Sequence, residues 1–306
     1  MSQGRKLGLA TVGCCLSVGC AMACTSVETP IDATGGTFPS SGGRTGGASG
    51  TGGSPTGGIS SGGTATGGNA TGGGGSATGG SGGCQNFSFF VTSLSAMQRL
   101  SGSSNGFGGD LRYGQADGLA GADKICATIA ATALGCAATQ TWRAFLSTSS
   151  VDAIDRIGSG PWYDRNGLRV WSSLSELSAD RPPSTYIYRD DLPNEDGIPN
   201  HDYDLDGDIN DDDNHDFLTG SGEDGRKVSN DTAAARCNDW TSTTATARPW
   251  CGHSWPRESS GVHWIHSIQE GGCRACFNLY DTGGVTNDCV GSGGGYGGIY
   301  CFALTP

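Results

Sequence analysis

Residues 119–135 read LAGADKICATIAATALG, and a few residues later residues 141–147 read TWRAFLS. In the first stretch Ile125 and Ile129 stand four apart, alanine is abundant and Gly135 supplies a stop, which predicts a helix over 119–134. The second stretch alternates apolar and polar residues in the manner of a strand. Working outward, residues 87–94 (FSFFVTSL) predict a first strand, and residues 102–118 a turn-rich connection. Ser149 or Ser150 can cap a short helix running through Ile157. Residues 162–173 suggest a hairpin around Asn166-Gly167, a strong turn dipeptide. Residues 298–304 (GIYCFAL) form another alternating strand. One or two early helices followed by many short strands describe an α+β fold with long loops. Most of the seven tryptophans are expected as core or loop anchors.

Residues 1–24 read as an export signal. Arg5 and Lys6 supply a short positive region, and residues 7–23 carry no charge. Ala21-Met22-Ala23 fits ordinary signal cleavage. Ala23-Cys24 or Gly19-Cys20 fits a lipoprotein signal, in which Cys24 or Cys20 becomes the acylated first residue. The lipoprotein reading is preferred because residues 25–83 form a tether. Between positions 34 and 83, 23 of 50 residues are glycine, and most of the rest are Ser, Thr and Ala. Such a stretch cannot bury enough apolar surface to offset its ordering entropy. As a random coil it spans roughly 40 Å. The chain is therefore expected at the cell surface or outer membrane, or alternatively secreted, touching membrane only through its N-terminal lipid anchor.

Residues 84–306 are the folded part, long enough for one good core. The whole chain has 18 Lys+Arg against 30 Asp+Glu, a net charge of −12. Twelve of the acids lie in an insert at 190–216 that contains no Lys or Arg. The acidity is thus one local feature, and the basic footprint that nucleic acid, heparin or anionic lipid would require is missing. Nine cysteines fall in the folded part, at 84, 126, 136, 237, 251, 273, 276, 289 and 301. An exported chain makes disulfides of them, and the odd count leaves one over. Cys273-x-x-Cys276 without a second matched pair is read as disulfide chemistry rather than zinc or redox chemistry.

Residues 202–213 read DYDLDGDINDDD. Calcium takes six to eight oxygens, and closely spaced carboxylates around a glycine turn supply them. Asp202, Asp204 and Asp206 fall at positions 1, 3 and 5 of a twelve-residue calcium loop, with Gly207 at the turn. Asp208 offers its carbonyl, Ile209 fills the apolar slot, and Asn210 and Asp213 fall at positions 9 and 12. Residues 192–208 are also similar to the calcium repeats of thrombospondin type 3. A cluster of this density repels itself unless a cation sits in it. The expected cofactor is calcium. His253, His263 and His266 could form a transition-metal site, but no His-Glu-x-x-His is present and they are read as structural or exposed. Residues 291–300 (GSGGGYGGIY) are read as a tight loop entering the last strand.

GADKIC (121–126), WRAFLS (142–147), LTGSGEDGRK (218–227), CNDW (237–240) and IYCFAL (299–304) occur in the order seen in endostatin. Endostatin is the C-terminal domain of collagen types fifteen and eighteen and has a C-type-lectin-like fold. The chain resembles more closely the bacterial lectin-like surface domains that share these blocks, with segments similar to DRIGSGPWYD (155–164), NHDFLTGS (214–221), DWTS (239–242) and GHSWPR (252–257). The resemblance implies that Cys126 joins Cys301 and Cys237 joins Cys273. Cys276 and Cys289 are close enough for a third, local bridge. Cys84, Cys136 and Cys251 are left over, and Cys84 with Cys136 is the pairing suggested. Endostatin's N-terminal zinc histidines have no counterpart in residues 87–109, so zinc is not expected. The implied function is a non-catalytic extracellular binding module with a polysaccharide or protein ligand. The alternatives are a cysteine-dependent enzyme on a lectin-like fold and a structural surface protein without a specific ligand.

Overall fold

The computed structural model describes residues 83–186, 190–200, 214–255, 262–279 and 288–304. The leader, the tether and the two candidate acylation sites, Cys20 and Cys24, lie outside them. The folded part is α+β, with few helices and small sheets. No helix among the described residues is long and apolar enough to cross a membrane.

After a short helical turn, α1 (Gly83–Asn86), the chain enters β1 (Phe89–Val91). The expected first strand ran on to Leu94, but a second helix begins there, α2 (Leu94–Ser101). Its cause is local. The Ser93 hydroxyl accepts the amide of Ala96, Leu94 and Met97 turn inward, and Gly102 closes the helix in the left-handed conformation. α3 (Gly118–Ala133) follows, capped by Asp117, whose carboxylate accepts the Ala120 amide at 2.8 Å. Its buried face is Gly118, Gly121, Ala122, Ile125, Cys126, Ile129 and Ala130, the i, i+3, i+4 stripe of an amphipathic helix. A side chain at Gly121 would collide with the Leu111 carbonyl at 2.0 Å, so that residue lets the helix lie against the preceding loop.

β2 (Trp142–Ala144) is shorter than the alternation suggested. The short helix expected after Ser149 or Ser150 is a single 3-10 turn, Ala153–Arg156, preceded by Asp152. Ser149 is engaged elsewhere, its amide and hydroxyl both donating to the Asp239 carboxylate. The hairpin around Asn166-Gly167 is present as β3 (Trp162–Tyr163) and β4 (Arg169–Trp171), followed by a helical turn, α4 (Leu174–Leu177).

The main sheet is completed by β5 (Asp216–Leu218), β6 (Trp250–His253), β7 (Ile268–Gln269) and β8 (Gly295–Ala303). Its order is β1-β8-β5-β6-β7, with β2 also paired to β8. β8 is its axis: all nine of its residues are buried, and it is antiparallel to β1 and β2 but parallel to β5. Such all-round burial is why β8 reads as glycine and aromatic with no charge.

Phe302 of β8 is the hub of the aromatic core. Its ring centroid lies 4.9 Å from Phe89, 5.3 Å from Trp162 and 5.7 Å from Phe145. Five of the seven tryptophans, Trp142, Trp162, Trp171, Trp240 and Trp264, are fully buried. Four disulfides staple this core: Cys84–Cys136, Cys126–Cys301, Cys237–Cys273 and Cys276–Cys289. Cys251 is the free cysteine among the described residues, and it is buried.

Candidate functional site

The calcium-ligand candidates Asp202, Asp204, Asp206, Asp208, Asn210 and Asp213 lie outside the described residues. The two ends of that acidic segment are described. Asn200 Nδ2 donates to the Asn214 carbonyl at 3.1 Å, and Asn214 Nδ2 donates back to the Asn200 carbonyl at 2.9 Å. Both residues are fully buried. Asn200 also donates to Ser254 Oγ at 3.1 Å, and its side-chain oxygen accepts the Tyr296 hydroxyl at 3.4 Å. The clasp is tied to the core, because the Tyr296 hydroxyl also donates to the Thr92 carbonyl at 2.7 Å. Just upstream, the buried Glu195 accepts the Ser93 amide at 2.9 Å and the Ser93 hydroxyl at 2.5 Å, anchoring the 194–198 turn on the N-terminus of α2. Burial raises the Glu195 pKa, against the lowering effect of those bonds.

Immediately beyond the clasp, β5 begins, and here the structure brings together three residues. Asp216 and His253 are cross-strand partners in the β5–β6 ladder. His253 Nε2 lies 3.0 Å and His215 Nε2 3.6 Å from Asp216 Oδ1. The two imidazole centroids are 4.1 Å apart, and the Trp255 ring stands edge-on to His215 at 4.9 Å. Each histidine side chain is 16 % exposed while Asp216 is fully buried, so the group faces outward on its histidine side.

Behind Asp216 the interior is unusually rich in ionisable groups. Glu270 is buried just past β7, where its Oε2 accepts the Ser292 hydroxyl at 2.6 Å and the Gly293 amide at 2.9 Å. Burial, and next the neighbouring Asp216, push its pKa well above the usual carboxylate range. The buried Cys251 thiol is pushed up by burial and by Glu270 and Asp216. The Tyr300 hydroxyl is raised by burial, then by Cys251 and Asp216. The glycine loop at 291–295 accommodates this interior. A side chain at Gly293 would meet Asp216 Oδ2 at 2.5 Å, and the Gly294 carbonyl accepts the Asp216 amide at 2.8 Å. The loop thus wraps carboxylates and leads into β8.

The side chains of the other histidines of the sequence reading are engaged elsewhere. His263 Nδ1 accepts the Ile265 amide at 3.0 Å, and burial lowers its pKa. His266 Nδ1 bonds the Ser221 carbonyl at 2.7 Å while its ring lies 4.0 Å from that of Trp250. The partners of His253 are therefore His215 and Asp216, which sequence reasoning missed. The signal lay in Asn214-His215-Asp216 at the edge of the acidic run, read for its charge and as part of the block at 214–221 but not as a ligand set.

A serine in the pattern Gly-x-Ser-x-Gly also occurs, as Gly102-Ser103-Ser104-Asn105-Gly106. A nucleophile elbow joins a strand to a helix. This segment instead follows the end of α2, and Ser104 is exposed. No protein-family model matches this chain, and neither does any curated protein.

Proposed function

We propose that the chain is an exported, non-catalytic binding module on a C-type-lectin-like scaffold, displayed at the cell surface and holding calcium on the acidic segment 201–213. The observation that carries this reading is the Asn200–Asn214 clasp. It draws the two ends of segment 201–213, which holds seven aspartates, together on a disulfide-stapled core. A loop whose ends are fixed by the fold loses less entropy on gathering its carboxylates around an ion. The four disulfides fit an oxidising compartment and an exported product. The free thiol among the described residues, Cys251, is sealed in the core with its pKa raised, the opposite of what a cysteine nucleophile needs. The ligand class is an extracellular polysaccharide or protein, and a glycan array read with and without calcium tests it.

Binding to the folded state alone stabilises it by about 2.7 kcal/mol when calcium is a hundredfold above Kd. Chelation is therefore expected to lower the melting temperature of the full chain. Asp204→Ala combined with Asp206→Ala is expected to abolish that response, with stability in chelator no lower than the parent's, since two repelling charges are gone. A parent whose melting and proteolysis are indifferent to chelator would reduce the segment to a solvated acidic insert.

A further inference from the structure

We infer that His215, Asp216 and His253 form a site for a divalent transition ion of the zinc class, separate from any calcium on the acidic segment. The donor set is two imidazole nitrogens and one carboxylate oxygen, and the three ligand atoms lie within 4.8 Å of one another. Imidazole suits zinc and its neighbours, whereas calcium takes oxygen ligands. The spacing fits as well. With bonds of about 2.0–2.1 Å, ligand atoms around a tetrahedral zinc stand about 3.3–3.4 Å apart. The two separations from Asp216 Oδ1, 3.0 and 3.6 Å, fall on either side of that value.

The surroundings are those of a ligand set held in place before the ion arrives. Asp216 is fixed by the β5–β6 ladder and by the Gly294 carbonyl that accepts its amide. His253 is fixed by the same ladder, and its amide donates to the His263 carbonyl at 3.0 Å. His215 precedes β5, its carbonyl accepting the Ser254 amide at 2.8 Å and its ring lying against Trp255. Ser292 and Gly293 belong to the same glycine loop that closes on Asp216, and both are held by Glu270 from the interior. The partial exposure of both imidazoles gives the ion a way in.

The test uses the full chain, stripped of metal and titrated with Zn²⁺ by calorimetry in the presence of excess Ca²⁺. One zinc per chain is expected, undisplaced by calcium. Loss of an outer-shell partner alone costs about 10–100-fold in affinity, so loss of a ligand is expected to cost at least about a hundredfold. His215→Gln and His253→Gln should each show that loss, with folding checked by recovery of the four disulfides and an unchanged circular dichroism spectrum. His266→Gln, in a ring stack apart from the site, should bind zinc as the parent does. The Asp204→Ala, Asp206→Ala variant should lose the calcium response and keep zinc. The inference is overturned if no zinc is taken up, if both histidine variants bind as the parent does, or if calcium displaces the ion. It is also overturned if the aspartate variant loses zinc, which would place the ion on the acidic segment and leave the calcium reading standing.

Discussion

Four consecutive residues, Cys237, Asn238, Asp239 and Trp240, have positive φ, between 46° and 64°. This is one turn of left-handed helix built from non-glycine residues, and it costs about 1–2 kcal/mol per residue. The contacts that hold it are in place: the Cys237–Cys273 disulfide, the bonds from Ser149 to Asp239, and the buried Trp240, whose Nε1 donates to the Ser147 carbonyl at 2.8 Å. Asn238 is exposed at the tip. Asn238→Gly is expected to hold or raise stability, and Asn238→Val to lower it by about 1–2 kcal/mol, as read by urea denaturation. Equal effects from the two would mean that the turn is not left-handed. Asp239→Ala removes the acceptor of the exposed Ser149 amide and hydroxyl and is expected to cost about 0.5–1.5 kcal/mol. Glu195 sets a pH dependence. Its folded pKa is raised, chiefly by burial, so the folded protein keeps a proton that the unfolded chain has already released. Its contribution is complete below the ordinary glutamate pKa of about 4.3 and is lost as pH rises through the folded value. Glu195→Gln should flatten that part of the stability–pH curve. Parallel curves for parent and variant would show that Glu195 is ionised in the folded state.

Among the elements, those whose cause is local were legible in the sequence. α3 was, because its apolar spacing and its glycine stop sit within one window, and so was the β3–β4 hairpin with its Asn166-Gly167 turn. α2 was not, because Phe87, Phe89, Phe90 and Val91 set a strand signal that the Ser93 cap interrupts without any change in hydrophobicity. The pairing of β5 with β8 was invisible for a different reason: their residues lie about 80 positions apart, and no short pattern encodes a parallel neighbour. The candidate metal site was missed on the same ground. His253 meets Asp216 only through the β5–β6 register, across 37 positions. Within β8, Phe302 touches Phe89, Phe145, Trp162, Trp171 and Trp264, so Phe302→Ala removes the shared partner of five rings. It is expected to cost about 3–5 kcal/mol in chemical denaturation. A cost near 1 kcal/mol would mean that the cluster collapses around the gap.

At the scale of the whole molecule, the disulfides differ in reach. Cys126–Cys301 spans 175 positions and Cys276–Cys289 only 13. In the chain-entropy model the first stabilises by about 5 kcal/mol and the second by about 3 kcal/mol. Replacing Cys126 and Cys301 together with alanine is therefore expected to lower stability more than replacing Cys276 and Cys289. The reverse order would show that native strain, not loop length, governs them. The proposed lipid anchor has its own readout, a diacylglyceryl group on Cys24 or Cys20 in mass spectra of the mature N-terminus. β8 has a further consequence, for biogenesis. β1, β2 and β5 all hydrogen-bond to residues 295–303, which a ribosome delivers after all three of them. Until β8 emerges, three strands have an open edge and Cys126 has no native partner, while Cys136 stands only ten residues away as a wrong mate unless Cys84 has already taken it. The main sheet can therefore close only in one late event, once residues 295–303 are available. Nascent chains stalled before residue 295 should remain fully protease-sensitive, however much of the preceding sequence has already been synthesised.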